Sequence, residues 1–172
     1  MSTGLYAEYD CNMTFAARCL ILACGNTLRE DDGIGPFLAS WAEERWRDDP
    51  RVRILCDHQW TPEMAEEVAA AEAVIFVDCS LDQAPGQIML RELGSAPLKP
   101  GLVTHHLSAA ELLSVAQDLY GKQPRSACLL TIGAGSIELG EELSEAVKKA
   151  LPEAQGVLED SVQRLLNSPS KG

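Results

Sequence analysis

Short apolar runs alternate with helix-length segments along most of the chain, and this alternation restricts the fold more than any other feature. Residues 73–77 are uncharged and rich in β-branched and aromatic side chains, which is typical of a buried strand. Further predicted strands occupy 18–24, 52–56 and 127–132. Predicted helices occupy 33–46, 61–70, 108–119 and 141–166. Because parallel strands need long crossover connections, the pattern predicts an α/β fold of three layers, in which a twisted, mostly parallel sheet has helices on both faces.

One further strand is predicted at residues 87–92, where apolar and polar side chains alternate and one face is more polar. The link from residue 77 contains the turn Pro85-Gly86 and is too short for a helical crossover. We therefore expect this strand to be antiparallel and to lie at the edge of the sheet, as the hairpin partner of strand 73–77.

Several residues with strong positional preferences mark the predicted helix ends. Thr61 is a predicted N-cap with Pro62 at the first helical position. Ser108 and Glu111 have the spacing of a capping box. Pro152 predicts a break or kink in the last helix, because proline has no N–H group to donate.

The composition is that of an ordinary globular chain. With 172 residues, 46% of them apolar and 23% charged, the sequence is not that of a wholly disordered protein. We expect one α/β domain over 18–167, with flexible tails at 1–17 and 168–172. The net charge of -12 argues against a surface for nucleic acid or anionic membranes. Segment 1–12 is polar and acidic, unlike a secretory signal, and no apolar run reaches the ~18–20 residues of a membrane span, so we expect a cytoplasmic protein.

The cysteines are scattered, without a C-x-x-C pair, and so predict neither a disulfide framework nor a structural zinc site. We expect all of them to be small buried apolar residues. They are Cys11, Cys19, Cys24, Cys56, Cys79 and Cys128.

Polar side chains follow the predicted strands at the places where those strands end. Because the carboxyl ends of parallel strands meet at one edge of the sheet, we expect these side chains to converge there. The residues concerned are Asn26, Asp31, Asp32, Asp57, His58, Gln59, Asp78, His105 and His106. The strands themselves carry almost no such groups, which is the pattern of a ligand site.

Each of these residues also has a simpler explanation. The glycine pattern of 25–35 does not match G-x-G-x-x-G, and two adjacent Asp residues would repel a pyrophosphate, so nucleotide binding is disfavoured. Asp31 or Asp32 is expected to be the N-cap of the following helix. Asp78 alone would be a turn or cap residue, and His105 alone would be as often on the surface as in a site. Their joint placement at one edge favours a site.

Two carboxylates and one imidazole would hold a divalent first-row metal weakly and leave coordination positions open. On the residues alone, Asp32, Asp78 and a histidine therefore predict a site for a metal that is held transiently or brought by a partner.

The segment 25–35, Gly-Asn-Thr-Leu-Arg-Glu-Asp-Asp-Gly-Ile-Gly, resembles the signature loop of the hydrogenase maturation endopeptidases. Segments 75–78, 104–113 and 140–147 agree with that family in order and spacing, and the resemblance covers about 18–167. These enzymes remove the C-terminal extension of the [NiFe]-hydrogenase large subunit after nickel insertion, and their fold is a mostly parallel sheet between helices. One departure is segment 57–63, Asp-His-Gln-Trp-Thr-Pro-Glu, where many members have Gly-Gly-Thr, so the hydrogenase class served is not defined by the resemblance.

The resemblance implies a peptidase of aspartyl type in which Asp32, Asp78 and His105 contact the metal and carry catalysis. The family's histidine precedes the following Leu by two residues, and Leu107 has that spacing to His105 rather than to His106. The resemblance implies no nucleotide and no permanently bound cofactor, since the substrate carries the nickel, although the site would accept a divalent metal. The implied partner is the nickel-loaded large-subunit precursor, which we expect a monomer to process.

The source of the attacking nucleophile stays open at this stage. A water polarised by the metal or by a carboxylate is the expected nucleophile, with Asp31 either assisting as a base or capping the helix. Asn26 or loop amides are candidate oxyanion donors. A thiol nucleophile at Cys24 or Cys79, which flank the site, is a less favoured alternative. Two other functions fit the same residues, namely a nickel-sensing escort that does not cleave and a general metal-dependent peptidase.

Overall fold

The computed structural model describes residues 17–95 and 107–169. The strands are β1 (Cys19–Cys24), β2 (Val52–Asp57), β3 (Ala73–Ser80), β4 (Ile88–Glu92) and β5 (Ser126–Gly133). The α-helices are α1 (Ile34–Arg45), α2 (Ala65–Ala70), α3 (Ala109–Tyr120) and α4 (Glu145–Asn167). Short 3-10 helices at Glu30–Gly33 and Pro62–Met64 lead into α1 and α2. Among these helices, none has the length and apolar character needed to cross a membrane.

The five strands form one sheet in the order β2-β1-β3-β5-β4. β1 pairs in parallel with β2 and β3, and β3 pairs in parallel with β5. β4 pairs antiparallel with β5 at the edge of the sheet. The predicted α/β class, with a mostly parallel sheet and one antiparallel strand, is therefore confirmed.

The predicted hairpin between β3 and β4 is wrong, because β5 lies between them. β5 is uncharged and pairs with β3 from Ser126 to Gly133, so it suits an inner position that is covered on both faces. β4 carries Arg91 and Glu92, and charged side chains suit an exposed edge.

Side chains of β1 and β3 alternate between the two faces of the sheet, and each face has its own apolar core. One core lies against α1 and α4 and includes Ile21, Ile75, Leu38 and Leu158. The other lies against α2 and α3 and includes Leu22, Phe76, Val68 and Leu112. These two cores hold the carboxyl ends of β1 and β3 side by side.

The helix ends match the sequence predictions only in part. The capping box is present, since the Ser108 and Glu111 side chains each bond the other residue's backbone N–H. Thr61 makes no side-chain cap, because the first turn after it is a 3-10 helix rather than the start of α2. Pro152 does not break α4, which runs without interruption from Glu145 to Asn167. Buried residues on both sides of Pro152, among them Ala150 and Ala154, secure the helix against the sheet.

The cysteines are not all buried, contrary to the sequence prediction. Cys19 and Cys24 are buried, Cys79 and Cys128 are half-buried, and Cys56 is exposed because it lies on the edge strand β2. Cys11 lies outside the described residues.

Close packing of α1 on β1 depends on Gly35, where a Cβ atom would lie 1.9 Å from the backbone oxygen of Cys24. We expect Gly35→Ala to lower the free energy of unfolding by about 2–3 kcal/mol, because the helix must move away from the strand. The matched control is Gly156→Ala in α4, where the added Cβ would meet open space among the described residues beyond its own helix backbone. It should raise stability by about 0.5–1 kcal/mol through helix propensity. Urea denaturation measures both, and equal effects would contradict the close approach.

Candidate functional site

The candidate site lies at the carboxyl ends of β1 and β3, which are neighbours in the sheet. Asp32 belongs to the 3-10 helix after β1. Asp78 lies within β3, which extends to Ser80 and so runs beyond the predicted end of the strand. The pairing of Asp78 with Thr131 and of Cys79 with Ile132 continues the parallel ladder with β5. The convergence of Asp32 and Asp78 at one edge is thus what the predicted topology requires.

Asp32, Asp78 and Cys79 form the core of the site. One ligand atom from each lies within 4.8 Å of the others. The Cys79 thiol donates a hydrogen bond to Asp32 Oδ1 over 3.2 Å, and the Cys79 backbone N–H donates to Asp78 Oδ1 over 2.8 Å. Two carboxylate oxygens and one sulfur are suitable donors for a divalent transition metal.

Cys79 is the member of this cluster that the sequence did not predict as a ligand. Successive side chains of a strand point to opposite faces, so Asp78 and Cys79 would not be expected to share a site. They do so because Asp32 approaches the end of the strand, where both side chains can reach it. The only available signal was the position of Cys79 directly after Asp78.

The loop after β1 fixes the orientation of Asp32. Gly25 has φ +146° and a Cβ there would lie 2.0 Å from the Asp32 backbone oxygen, so the loop folds tightly over the 3-10 helix. The Asn26 backbone N–H donates to Asp32 Oδ2 over 2.8 Å, while the Asn26 side-chain oxygen accepts from Leu28 N–H over 2.9 Å. The backbone N–H and the side-chain oxygen of Asn26 are thus both used in hydrogen bonds within the loop.

Neither Asp31 nor Asp32 caps α1, contrary to the sequence prediction. The N-cap is Gly33, and no side chain caps the helix. The reason is that each carboxylate is committed elsewhere, with Asp32 bonded within the β1 loop and Asp31 bonded to a distant segment.

Asp31 is completely buried, and its carboxylate accepts three backbone hydrogen bonds. Oδ1 accepts from Ser144 N–H over 2.6 Å, and Oδ2 accepts from Gly135 N–H over 2.7 Å and from Ser136 N–H over 3.2 Å. Burial alone would raise the pKa of this carboxyl, but the hydrogen bonds from Ser144, Gly135 and Ser136 outweigh burial and hold the pKa below its usual value. Asp31 thereby ties the loop that follows β5, which carries Gly135 and Ser136, and the start of α4 to the site.

Asp78 has the opposite electrostatic environment. Burial raises the pKa of its carboxyl to about 6, and the nearby Asp32 contributes further to the rise. Hydrogen bonds from Cys24 and from the Cys79 backbone oppose this shift without cancelling it. A carboxyl with this pKa is mostly ionised at neutral pH and can accept a proton there.

The two thiols beside the carboxylates are poor nucleophiles in this arrangement. Burial raises the pKa of the Cys24 and Cys79 thiols, and the negative charge of Asp78 and Asp32 raises it further. Both thiols stay protonated at neutral pH, whereas the attacking form of cysteine is the thiolate.

The remaining predicted site residues are distributed around this cluster. His58 and Gln59 line a cavity that also reaches Asp78. Asp57 is exposed, and its carboxylate accepts a 2.6 Å hydrogen bond from the His58 backbone N–H. His105 and His106 lie outside the described residues.

No family model matches the sequence, and no curated protein matches it. Solved structures do match. A hydrogenase 2 maturation peptidase from Thaumarchaeota archaeon SCGC_AB-539-E09 is 27% identical, with a TM-score of 0.63, and the match covers 85% of this chain and 98% of that one. The hydrogenase maturating endopeptidase HybD from E. coli is 23% identical, with a TM-score of 0.69 and coverage of 86% and 93%. The [NiFe] hydrogenase maturation protease HycI from Thermococcus kodakarensis KOD1 is 24% identical, with a TM-score of 0.64 and coverage of 88% and 94%. The resemblance to hydrogenase maturation endopeptidases therefore extends to the fold of most of the chain.

Proposed function

We propose that this protein is an endopeptidase that removes the C-terminal extension of a [NiFe]-hydrogenase large-subunit precursor after nickel insertion. The observation that carries the proposal is the cluster of Asp32, Asp78 and Cys79 at the carboxyl edge of the sheet. It occurs on a fold shared with solved hydrogenase maturation peptidases. The substrate's own nickel is thus the metal that these donors would meet.

Asp32, Asp78 and His105 are proposed to contact the nickel of the precursor and so to position the bond to be cut. The hydrogen bond from Asn26 N–H keeps the Asp32 carboxylate turned toward Asp78. This geometry needs no movement of the β1 loop before the precursor docks, which favours a preformed recognition site. The Cys79 thiol either keeps its hydrogen bond to Asp32, as in this structure, or becomes a further ligand of the nickel.

Asp78 is the proposed general base. Without a metal its raised pKa, about 6, leaves it ionised at neutral pH, and the carboxylate oxygen that does not contact the nickel would take a proton from an attacking water. The water adds to the carbonyl carbon, the C–N bond then breaks, and the proton passes to the leaving amine. Asp31 is proposed as a positioning residue rather than a second base, because three backbone N–H groups occupy its carboxylate.

The test is to incubate the purified protein with nickel-loaded precursor and, separately, with nickel-free precursor, and to weigh the products by mass spectrometry. We expect loss of a C-terminal peptide only from the nickel-loaded precursor. A precursor that the protease of its own organism can process serves as the positive control.

Each other outcome favours a different function. An unshortened complex with the loaded precursor would favour a nickel-sensing escort. Cleavage of short peptides without any nickel-loaded protein would favour a general metal-dependent peptidase. Equal cleavage of loaded and nickel-free precursor would contradict the proposed check on nickel.

A further inference from the structure

A cavity of ≈440 Å³ adjoins the carboxylate cluster on the side of the sheet that α3 covers. Asp78 and the neighbouring Cys24 belong to its lining, so the cavity opens directly onto the proposed general base. The apolar lining includes Trp60, which is buried and packs edge-to-face on Phe76 at 5.1 Å, and Leu129 of β5. Among the described residues, the buried Trp60 Nε1 has no hydrogen-bond partner. A cavity with this combination of apolar wall and free donor suits a peptide segment.

Arg91 supplies the positive charge of this cavity. It is the one Lys or Arg among the described residues that line it. Its side chain is exposed on β4, and within the described part of the chain it forms no ion pair. The chain carries a net charge of -12, and Asp78 lines the same cavity, so this guanidinium, which is unpaired among the described residues, is an exception in an acidic surrounding. A guanidinium in such a position selects carboxylates, which it can bind through two parallel hydrogen bonds.

The register of the sheet fixes the separation of Arg91 from Asp78. Arg91 pairs with Leu129 of β5, and Asp78 pairs with Thr131 on the other side of the same strand. The two residues are therefore two strands and two positions apart, which places their Cα atoms about 12 Å from each other. An extended peptide spans that distance with about three to four residues.

We propose that this cavity binds the substrate chain next to the scissile bond, and that Arg91 pairs with a substrate carboxylate about three to four residues from that bond. Trp60 and Leu129 contact the apolar side chain in between. Arg91 is thus a specificity-determining residue for an acidic position in the precursor. This inference rests on the proposed endopeptidase function.

The test combines enzyme and substrate variants. Each Asp or Glu within about five residues of the cleavage site is changed in turn to its amide in the nickel-loaded precursor. We expect one of these changes to lower kcat/KM of the wild-type enzyme by about tenfold, mainly through KM, as expected for the loss of a charged pair. Arg91→Ala should lower kcat/KM for the unchanged precursor by the same factor. With the precursor that lacks the identified acid, Arg91→Ala should have the same kcat/KM as the wild-type enzyme.

The matched control is Arg164→Ala, which removes another exposed charge, from α4, that forms no ion pair with any described residue. It should leave kcat/KM unchanged. A charge exchange, with Arg91→Glu in the enzyme and Lys at the identified substrate position, should restore most of the loss. Cleavage by Arg91→Ala at the wild-type rate, or a precursor without an acid in this window, would overturn the inference while leaving the endopeptidase function standing.

A binding measurement separates the two proposals if the wild-type protein cleaves nothing. A synthetic peptide of about ten residues that spans the cleavage site is titrated while tryptophan fluorescence is recorded. We expect Arg91→Ala to weaken its binding about tenfold relative to wild type and Arg164→Ala. Equal binding by all three proteins would overturn the role of Arg91.

Discussion

Asp78→Asn is expected to lower cleavage of the nickel-loaded precursor by about a thousandfold or more while making the folded protein more stable. Activity falls because the amide cannot accept the proton of the attacking water and contacts a metal more weakly than a carboxylate. The fold is retained because the amide oxygen can still accept the hydrogen bond from Cys79 N–H. The measurement is product formation by mass spectrometry, paired with thermal and urea unfolding.

The gain in stability follows from the raised pKa of Asp78. Its carboxyl titrates near its ordinary value of 3.8 in the unfolded chain and at about 6 in the folded protein. The folded protein therefore binds this proton more tightly, and ionisation of Asp78 destabilises the fold as the pH rises from 3.8 to about 6. Asn never ionises, so Asp78→Asn should be more stable than wild type by about 1–3 kcal/mol at pH 7.

The pH dependence distinguishes this mechanism from a general effect of the substitution. The stability advantage of Asp78→Asn should shrink below pH 6 and disappear near pH 4, where the wild-type carboxyl is protonated. Asp160→Asn, at an exposed position of α4, is the matched control and should change neither stability nor cleavage. Cleavage by Asp78→Asn at the wild-type rate would refute the proposed role of Asp78.

The strands and the meeting of Asp32 with Asp78 were predictable because both depend on short-range patterns. Apolar runs such as 73–77 identify buried strands locally, and parallel strands place the residues that follow them at one edge. The position of β4 was not predictable in the same way. β4 does not pair with β3 because β5 lies between them in the sheet. β5 begins more than thirty residues after β4 ends, so no local pattern indicates this.

The details of the site were predictable only where they follow from neighbouring residues. The partners of Asp31 lie 104 to 113 positions away in sequence, so nothing local identified its carboxylate as the acceptor for the loop before α4. Cys79 joined the cluster through the approach of Asp32, against the usual alternation of strand side chains. The role of His105 stays a prediction, since it lies outside the described residues.

Asp31 and Asp78 illustrate how two carboxylates of one site acquire opposite properties from their surroundings. Asp31 is surrounded by backbone donors that stabilise its negative charge. Asp78 has fewer donors and a neighbouring negative charge, so its ionised form is disfavoured. The first arrangement stabilises the fold, and the second gives Asp78 the raised pKa on which its proposed role as general base depends.

Asp31→Asn is expected to lower the free energy of unfolding at pH 7 by about 3–5 kcal/mol. The amide has one acceptor oxygen in place of two, so its NH2 group must face a buried backbone N–H. If the oxygen keeps Gly135 and Ser136, the Ser144 N–H at the start of α4 loses its partner. Cleavage should then fall only because less protein is folded. Urea denaturation measures the free energy of unfolding, and Asp160→Asn is again the control.

The pH dependence of Asp31→Asn has the opposite sign to that of Asp78→Asn. The pKa of Asp31 is lowered from 3.8 in the folded protein, so its stabilising effect is present above that pH and is lost as the pH falls through the folded value. The deficit of Asp31→Asn should therefore stay constant between pH 7 and pH 5 and shrink only below pH 4. Unchanged stability together with abolished cleavage would instead favour Asp31 as the catalytic base, in place of the role proposed for Asp78.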